Sequence, residues 1–289
     1  MRPTVDRDPR SLAPREHGAY GQLFVPLATA LAMGKPNLAS VGFAVSAVSL
    51  FFAHEPALVV WGRRGERARR ECGARARRRL AILGALAVGS GLIAAMSAPV
   101  GALIAAIALL PTALLVGWLG ALGREKTAFG EVLAAGALAG VGVPIALSEG
   151  VSTPWALGAW GAWTLAFVVS TLVVRAVIAH AKSPVPWTKR TAAPALSAAF
   201  VAGVMGTQLL PWACALAAAP MILVASWFAI APPSPRSLKR VGWTLATSSL
   251  LVGVALVAGV HLSMSTQPDS SRGETSSQAE TSCHDLCVE

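Results

Sequence analysis

Along the chain, apolar runs of helical-span length alternate with short polar interruptions. The runs cover about Gly18–Met33, Leu38–Trp61, Leu80–Ala98, Val100–Leu122, Ala128–Leu147, Trp155–Ile178, Thr191–Leu210, Trp212–Ile230 and Val241–Leu262. A helix of about 20 residues crosses the roughly 30 Å hydrocarbon core of a bilayer. Most of these runs are apolar all round, as expected of helices that face lipid on one side and protein on the other. Lys35, Pro36 and Asn37 mark one turn, while Pro99 and Pro211 mark two tighter ones. The pattern predicts an all-α, polytopic membrane bundle of about nine transmembrane helices. It forms a single domain over residues 18–262, between a cytoplasmic N-terminal segment (1–17) and an outer tail (263–289). The tail is rich in Ser, Thr, Gln and Glu, too polar to bury a core, and is expected to be disordered. Cys283 and Cys287 lie in it, and their role is open.

Composition fits this picture. Hydrophobic residues make up 54% of the 289 and charged residues 13%, against about 25% charged in soluble domains. The mean hydropathy is +0.60. A net charge of +10 in a soluble chain would suggest nucleic acid. Here the basic residues flank apolar spans without interleaved aromatics, so anionic lipid head groups and membrane orientation account for them and nucleic acid is not expected as a partner. The densest run, Gly62–Arg79, holds nine arginines against Glu66 and Glu71, and no lysine. With nine spans and the N-terminus inside, 22 of the 24 Lys and Arg fall on the cytoplasmic side, leaving Lys35 and Arg272 outside. The positive-inside rule therefore predicts an N-in/C-out topology.

Ionisable groups within spans are costly unless they pair or line a watery cavity, so they mark the candidate chemistry. Glu16 and His17 stand at the start of the first span, and His54 and Glu55 near the end of the second. Glu131 is a turn into the fifth, and Arg175 is near the end of the sixth. All fall in the cytoplasmic half and predict a cytoplasm-facing polar pocket, with Glu131 and Arg175 as its first candidate ion pair. Arg63, Arg64 and Arg67 directly follow the His54 and Glu55 segment and have the fork geometry to hold phosphate. Plain structural roles compete with each. Glu16 suits a helix N-terminus, either histidine can be a neutral packing residue, and the arginine run is in any case an orientation signal. Two histidines and two glutamates offer metal-ligating atoms, but no ligand spacing supports a metal site, and the sequence leaves the cofactor unknown. Pro56 biases Glu55 away from helical torsions and predicts a break or kink in the second span.

The string REHGAYGQL (Arg15–Leu23) with Pro26 resembles the opening of the YwiC-like family of bacterial membrane proteins. The resemblance continues through FFAHEPALVVWGRRG (Phe51–Gly65), FGEVLAAG (Phe129–Gly136), FVVSTLVVRAVI (Phe167–Ile178) and KRVGW (Lys239–Trp243). It implies a multi-pass protein of the bacterial inner membrane without a defined activity. The helix count and orientation also resemble those of the UbiA-type prenyltransferases, whose aspartate-rich motifs hold Mg²⁺ and prenyl diphosphate. The corresponding positions here carry His54, Glu55 and arginines, then Arg175, His180 and Lys182, a lining that would repel metal ions. The expected function is therefore direct binding of an anionic isoprenoid or phospholipid head group. The alternatives are a small-anion transporter and a non-catalytic membrane assembly partner.

Overall fold

The computed structural model describes residues 12, 17–124, 127–180, 191–231, 233 and 237–265, and among them all regular structure is helical. In chain order the helices are α1 (His17–Met33), α2 (Leu38–Val60), α3 (Glu66–Ser97), α4 (Val100–Ala121), α5 (Ala128–Gly140) and α6 (Gly142–Ser148). They continue with α7 (Thr153–His180), α8 (Ala192–Thr207), α9 (Trp212–Ala217), α10 (Ala219–Ile230) and α11 (Leu238–Ser265). Seven stretches among the described residues are long and apolar enough to cross a membrane: α2, α3, α4, α5 with α6, α7, α9 with α10, and α11. The apolar parts of α1 and α8, Gly18–Met33 and Pro194–Met205, are shorter. The protein is thus an all-α, polytopic membrane protein.

Three local features depart from the sequence expectations. The fifth and eighth spans are interrupted, at Val141 between α5 and α6 and at Ala218 between α9 and α10. Proline lacks the N–H that bonds four residues back. Pro144 therefore leaves the Gly140 carbonyl without its helical partner, and Pro220 does the same to Leu216. The second span, by contrast, passes through Pro56 as one helix. Lastly, most of the arginine run is not a loop, since α3 begins at Glu66 and carries it as its first turns. At 1.5 Å per residue, 32 residues extend about 48 Å. The arginine end therefore projects beyond a hydrocarbon layer of about 30 Å.

The core lies around α7, which packs against α5, α6, α8, α9, α10 and α11. Trp163 is 2% exposed and stacks on Phe167 with ring centroids 5.4 Å apart. Small residues set the close approaches. A Cβ on Gly158 would lie 2.5 Å from the Cys214 Sγ, and one on Gly140 would lie 2.6 Å from a Leu109 methyl. Near Gly140, the Trp160 indole N–H donates to the Gly136 carbonyl at 2.9 Å. The α2–α3 hairpin is peripheral, with α3 packing chiefly on α2. Gly42 lets the Ala94 methyl come close, and the Ser46 hydroxyl donates across the hairpin to the Ala87 carbonyl at 2.9 Å. The opposite face of α3 leaves Ile82, Leu86, Leu92 and Met96 exposed, an apolar surface suited to lipid.

Candidate functional site

Helix α2 ends in a tight reversal that the sequence WGRRG encodes. Gly62 takes a φ of +76°, a left-handed conformation that glycine adopts without strain. The Gly62 N–H donates to the Val59 carbonyl and the Arg63 N–H to the Leu58 carbonyl, the paired bonds of a Schellman cap. Gly65, with φ +91°, completes the turn and starts α3. The chain direction reverses within Trp61–Gly65, which returns Arg64 to a residue nine positions earlier. Arg64 Nε donates to Glu55 Oε1 at 2.8 Å, and its Nη2 donates to Oε2 at 2.6 Å. The Glu55 side chain is 3% exposed and that of Arg64 30%. The pair is a bidentate fork with its carboxylate enclosed and its guanidinium reaching the surface.

This fork fixes the start of a strongly basic helix. On α3, Arg67 pairs with Glu71 and Arg70 with Glu66, both in exposed i,i+4 contacts. Arg63, Arg69, Arg77 and Arg78 are exposed and make no ion pair with any described residue. Positive charge therefore exceeds what the local glutamates neutralise. Beneath it, Leu12 packs with Val59, Val60, Cys72 and Ala76 at the arginine end of the hairpin. His54 is half-buried. One turn further into α2, Phe51 and Phe52 meet Tyr20 and Phe24 of α1, with ring centroids 5.3 to 6.5 Å apart. Sequence reasoning did not single out this cluster. Its signal was available, because the only tyrosine and three of the eight phenylalanines fall within two short strings beside the charged residues.

Glu131 and Arg175 form the ion pair their similar depth suggested. Arg175 Nε and Nη2 lie 2.9 and 2.8 Å from the same carboxylate oxygen, Oε2. Both side chains are about two-fifths exposed (38% for Glu131 and 42% for Arg175). This pair bridges α5 and α7, which α2 does not substantially contact, so it is separate from the Glu55–Arg64 fork. A small cavity lined by Pro26, Thr29, Gly142, Trp160 and Trp163 contains no candidate site residue. Among the described residues the candidates therefore form two ion pairs, Glu55–Arg64 and Glu131–Arg175. Glu16 lies outside the described residues, as do the side chains of His17 and His180, Lys182, Cys283 and Cys287. Among the described residues no three His, Cys, Asp or Glu side chains converge as a metal site would require.

Fold and site thus define a polytopic helical membrane protein with an arginine-rich hairpin at one end of its bundle. The sequence model of the YwiC-like protein family matches residues 13–146, which is under half of the chain. That stretch takes in the hairpin and Glu131 but not Arg175. No curated protein and no solved structure shows a significant match. The likeness to UbiA-type prenyltransferases accordingly rests on expected helix number and orientation alone.

Proposed function

We propose that this chain is a YwiC-like, nine-helix, N-in/C-out protein of the bacterial inner membrane whose α2–α3 hairpin binds an anionic head group at the cytoplasmic surface. The ligand class is a phosphate-bearing isoprenoid or phospholipid. The observation that carries the reading is the Glu55–Arg64 fork, which ties the turn between α2 and α3 beside a run of exposed arginines; in the proposed orientation these arginines face the lipid head groups. Arg63 and Arg67 flank the locked residue and are exposed, Arg67 while paired with Glu71. Phosphate binding by guanidinium is bidentate and charge-assisted, which suits a run with arginine and no lysine. Supporting the nine-helix count, α1 and α8 have 17 and 16 residues, near the lower limit of about 17 for a spanning helix. Supporting the orientation is the 22-to-2 distribution of basic residues.

The test is native mass spectrometry of protein purified in mild detergent, comparing the parent with Arg63→Gln/Arg67→Gln. Arg64 is left in place to keep the fork. Anionic lipid retained by the parent and lost from the variant supports the site. Equal lipid in both overturns it. A second reading, a small-anion carrier, is favoured by the half-exposed Glu131–Arg175 pair. Anion uptake into proteoliposomes that is lost in Arg175→Gln supports that alternative.

A further inference from the structure

The end of α2 opposite the arginines holds a different kind of charged group. There the α1–α2 turn (residues 34–37) meets the α6–α7 turn (149–152). Asn37 clamps them, since its side-chain NH₂ donates to the Ser148 carbonyl while its Oδ1 caps α2 by accepting from the Ser40 N–H at 3.0 Å. Glu149 closes α6, and Gly150 at φ +83° follows with the same paired carbonyl bonds as at Gly62. This cap turns the Glu149 side chain inward against Gly34. A Cβ on Gly34 would lie 2.5 Å from the Glu149 Cβ and 3.0 Å from Oε2, so only glycine admits the carboxyl there. The residue is 9% exposed, and neither carboxyl oxygen has a hydrogen-bond partner among the described residues.

An ionised carboxylate without donors is costly in such a site, and the neutral acid much less so. The nearest donors do not rescue it. The Ser40 hydroxyl proton goes to the Asn37 carbonyl at 3.1 Å, while its oxygen accepts the Asn37 N–H at 2.9 Å. No cation compensates either. Among the described residues of α1, α2, α6, α7 and α11 near this end, the titratable groups are Lys35, exposed on the turn, and His261. The His261 ring faces the Ala32 carbonyl at 3.0 Å, and neither residue forms an ion pair with Glu149.

We propose that Glu149 is a proton-binding site whose neutral acid holds the α1–α2 and α6–α7 turns together and whose ionisation loosens them. One proton from water converts the carboxylate to the acid, with no other reactant. Burial shifts the Glu149 carboxyl upward from its ordinary value; the Ser40 hydroxyl and Gly34 N–H lie near it without forming a hydrogen bond of good geometry and oppose the shift more weakly. That direction agrees with the geometry. The site is independent of the head-group reading, because it lies at the other end of the 23-residue helix α2.

The test combines isotope-edited infrared titration of ¹³C-glutamate-labelled protein with amide exchange, corrected for intrinsic rates, in nanodiscs. The parent is expected to keep a protonated-carboxyl band above the ordinary carboxylate range, and Glu149→Gln to lack it. Exchange at residues 34–40 and 148–152 should rise in the parent as the band disappears and be independent of pH in Glu149→Gln. Gly34→Ala, which displaces the carboxyl toward water, should return Glu149 to ordinary titration. The proposal is overturned if the parent shows no such band, if the band survives in Glu149→Gln, or if exchange in the two turns does not follow it.

Discussion

Removing either partner of the Glu55–Arg64 fork should destabilise the protein, but by unequal amounts. Arg64→Gln leaves a carboxylate at 3% exposure without the two charge-assisted hydrogen bonds that satisfy it. Breaking a buried ion pair in this way costs about 3–5 kcal/mol. Glu55→Gln instead leaves an arginine that is already 30% exposed and can turn to water or a head group. Its cost should be nearer the loss of one charged hydrogen bond, about 1.5–3 kcal/mol. The double variant should lose less than the sum, with a coupling of about 1–3 kcal/mol, as contacting residues in one network show. Reversible unfolding in mixed micelles with increasing dodecyl sulfate, followed by tryptophan fluorescence and circular dichroism, measures all four corners of the cycle. Equal single losses, or strict additivity, would refute the claim that the fork locks the hairpin.

Other expectations follow from the packing and the charges. Gly158→Ala forces a Cβ to within 2.5 Å of the Cys214 Sγ, and such overpacking costs about 1–3 kcal/mol. Adding Cys214→Ala should restore most of the loss, because the nearest remaining atom is the residue-214 Cβ at 3.3 Å. Trp160→Phe removes the hydrogen bond to the Gly136 carbonyl and should cost about 0.5–1.5 kcal/mol in the same unfolding assay. For Glu149 the upward shift means that the folded state holds its proton where the unfolded chain has released it. Stability should therefore fall as pH rises from about 4.3, the ordinary glutamate value, through the raised folded value, and this slope should vanish in Glu149→Gln. For topology, Lys35→Cys and Arg78→Cys are placed singly in a background with the four native cysteines changed to alanine. Impermeant maleimide should reach position 35 in intact cells and position 78 only after lysis.

Helix positions could be read from the sequence because hydrocarbon thickness sets run length, and the described helix ends fall close to the ends of the apolar runs except at α3, which starts at Glu66, fourteen residues before its apolar run. The interruptions at Val141 and Ala218 were less evident. Pro144 and Pro220 break their helices, whereas Pro26, Pro56 and Pro111 sit inside continuous ones, so tertiary packing decides the outcome. The helical arginine run was readable in principle, since arginine is a good helix former and the run contains no proline. Matching depth on neighbouring spans was enough to suggest the Glu131–Arg175 pair. The partner of Glu55 was not apparent from spacing, because Arg64 returns to it only through the left-handed cap at Gly62. Glu149 reads as an ordinary loop residue, and its burial comes from the turn at Gly34, more than a hundred positions away in sequence.

The measurement that bears most directly on the hairpin is phosphorus-to-nitrogen dipolar dephasing in solid-state NMR. Protein labelled with ¹⁵N-arginine would be studied in bilayers containing a defined anionic phospholipid. Guanidinium groups that hold head groups lose intensity when coupled to nearby phosphorus. The account predicts strong dephasing in the parent that falls in Arg63→Gln/Arg67→Gln, with the Arg64 signal still present. No dephasing in the parent, or the same dephasing in both proteins, would contradict it.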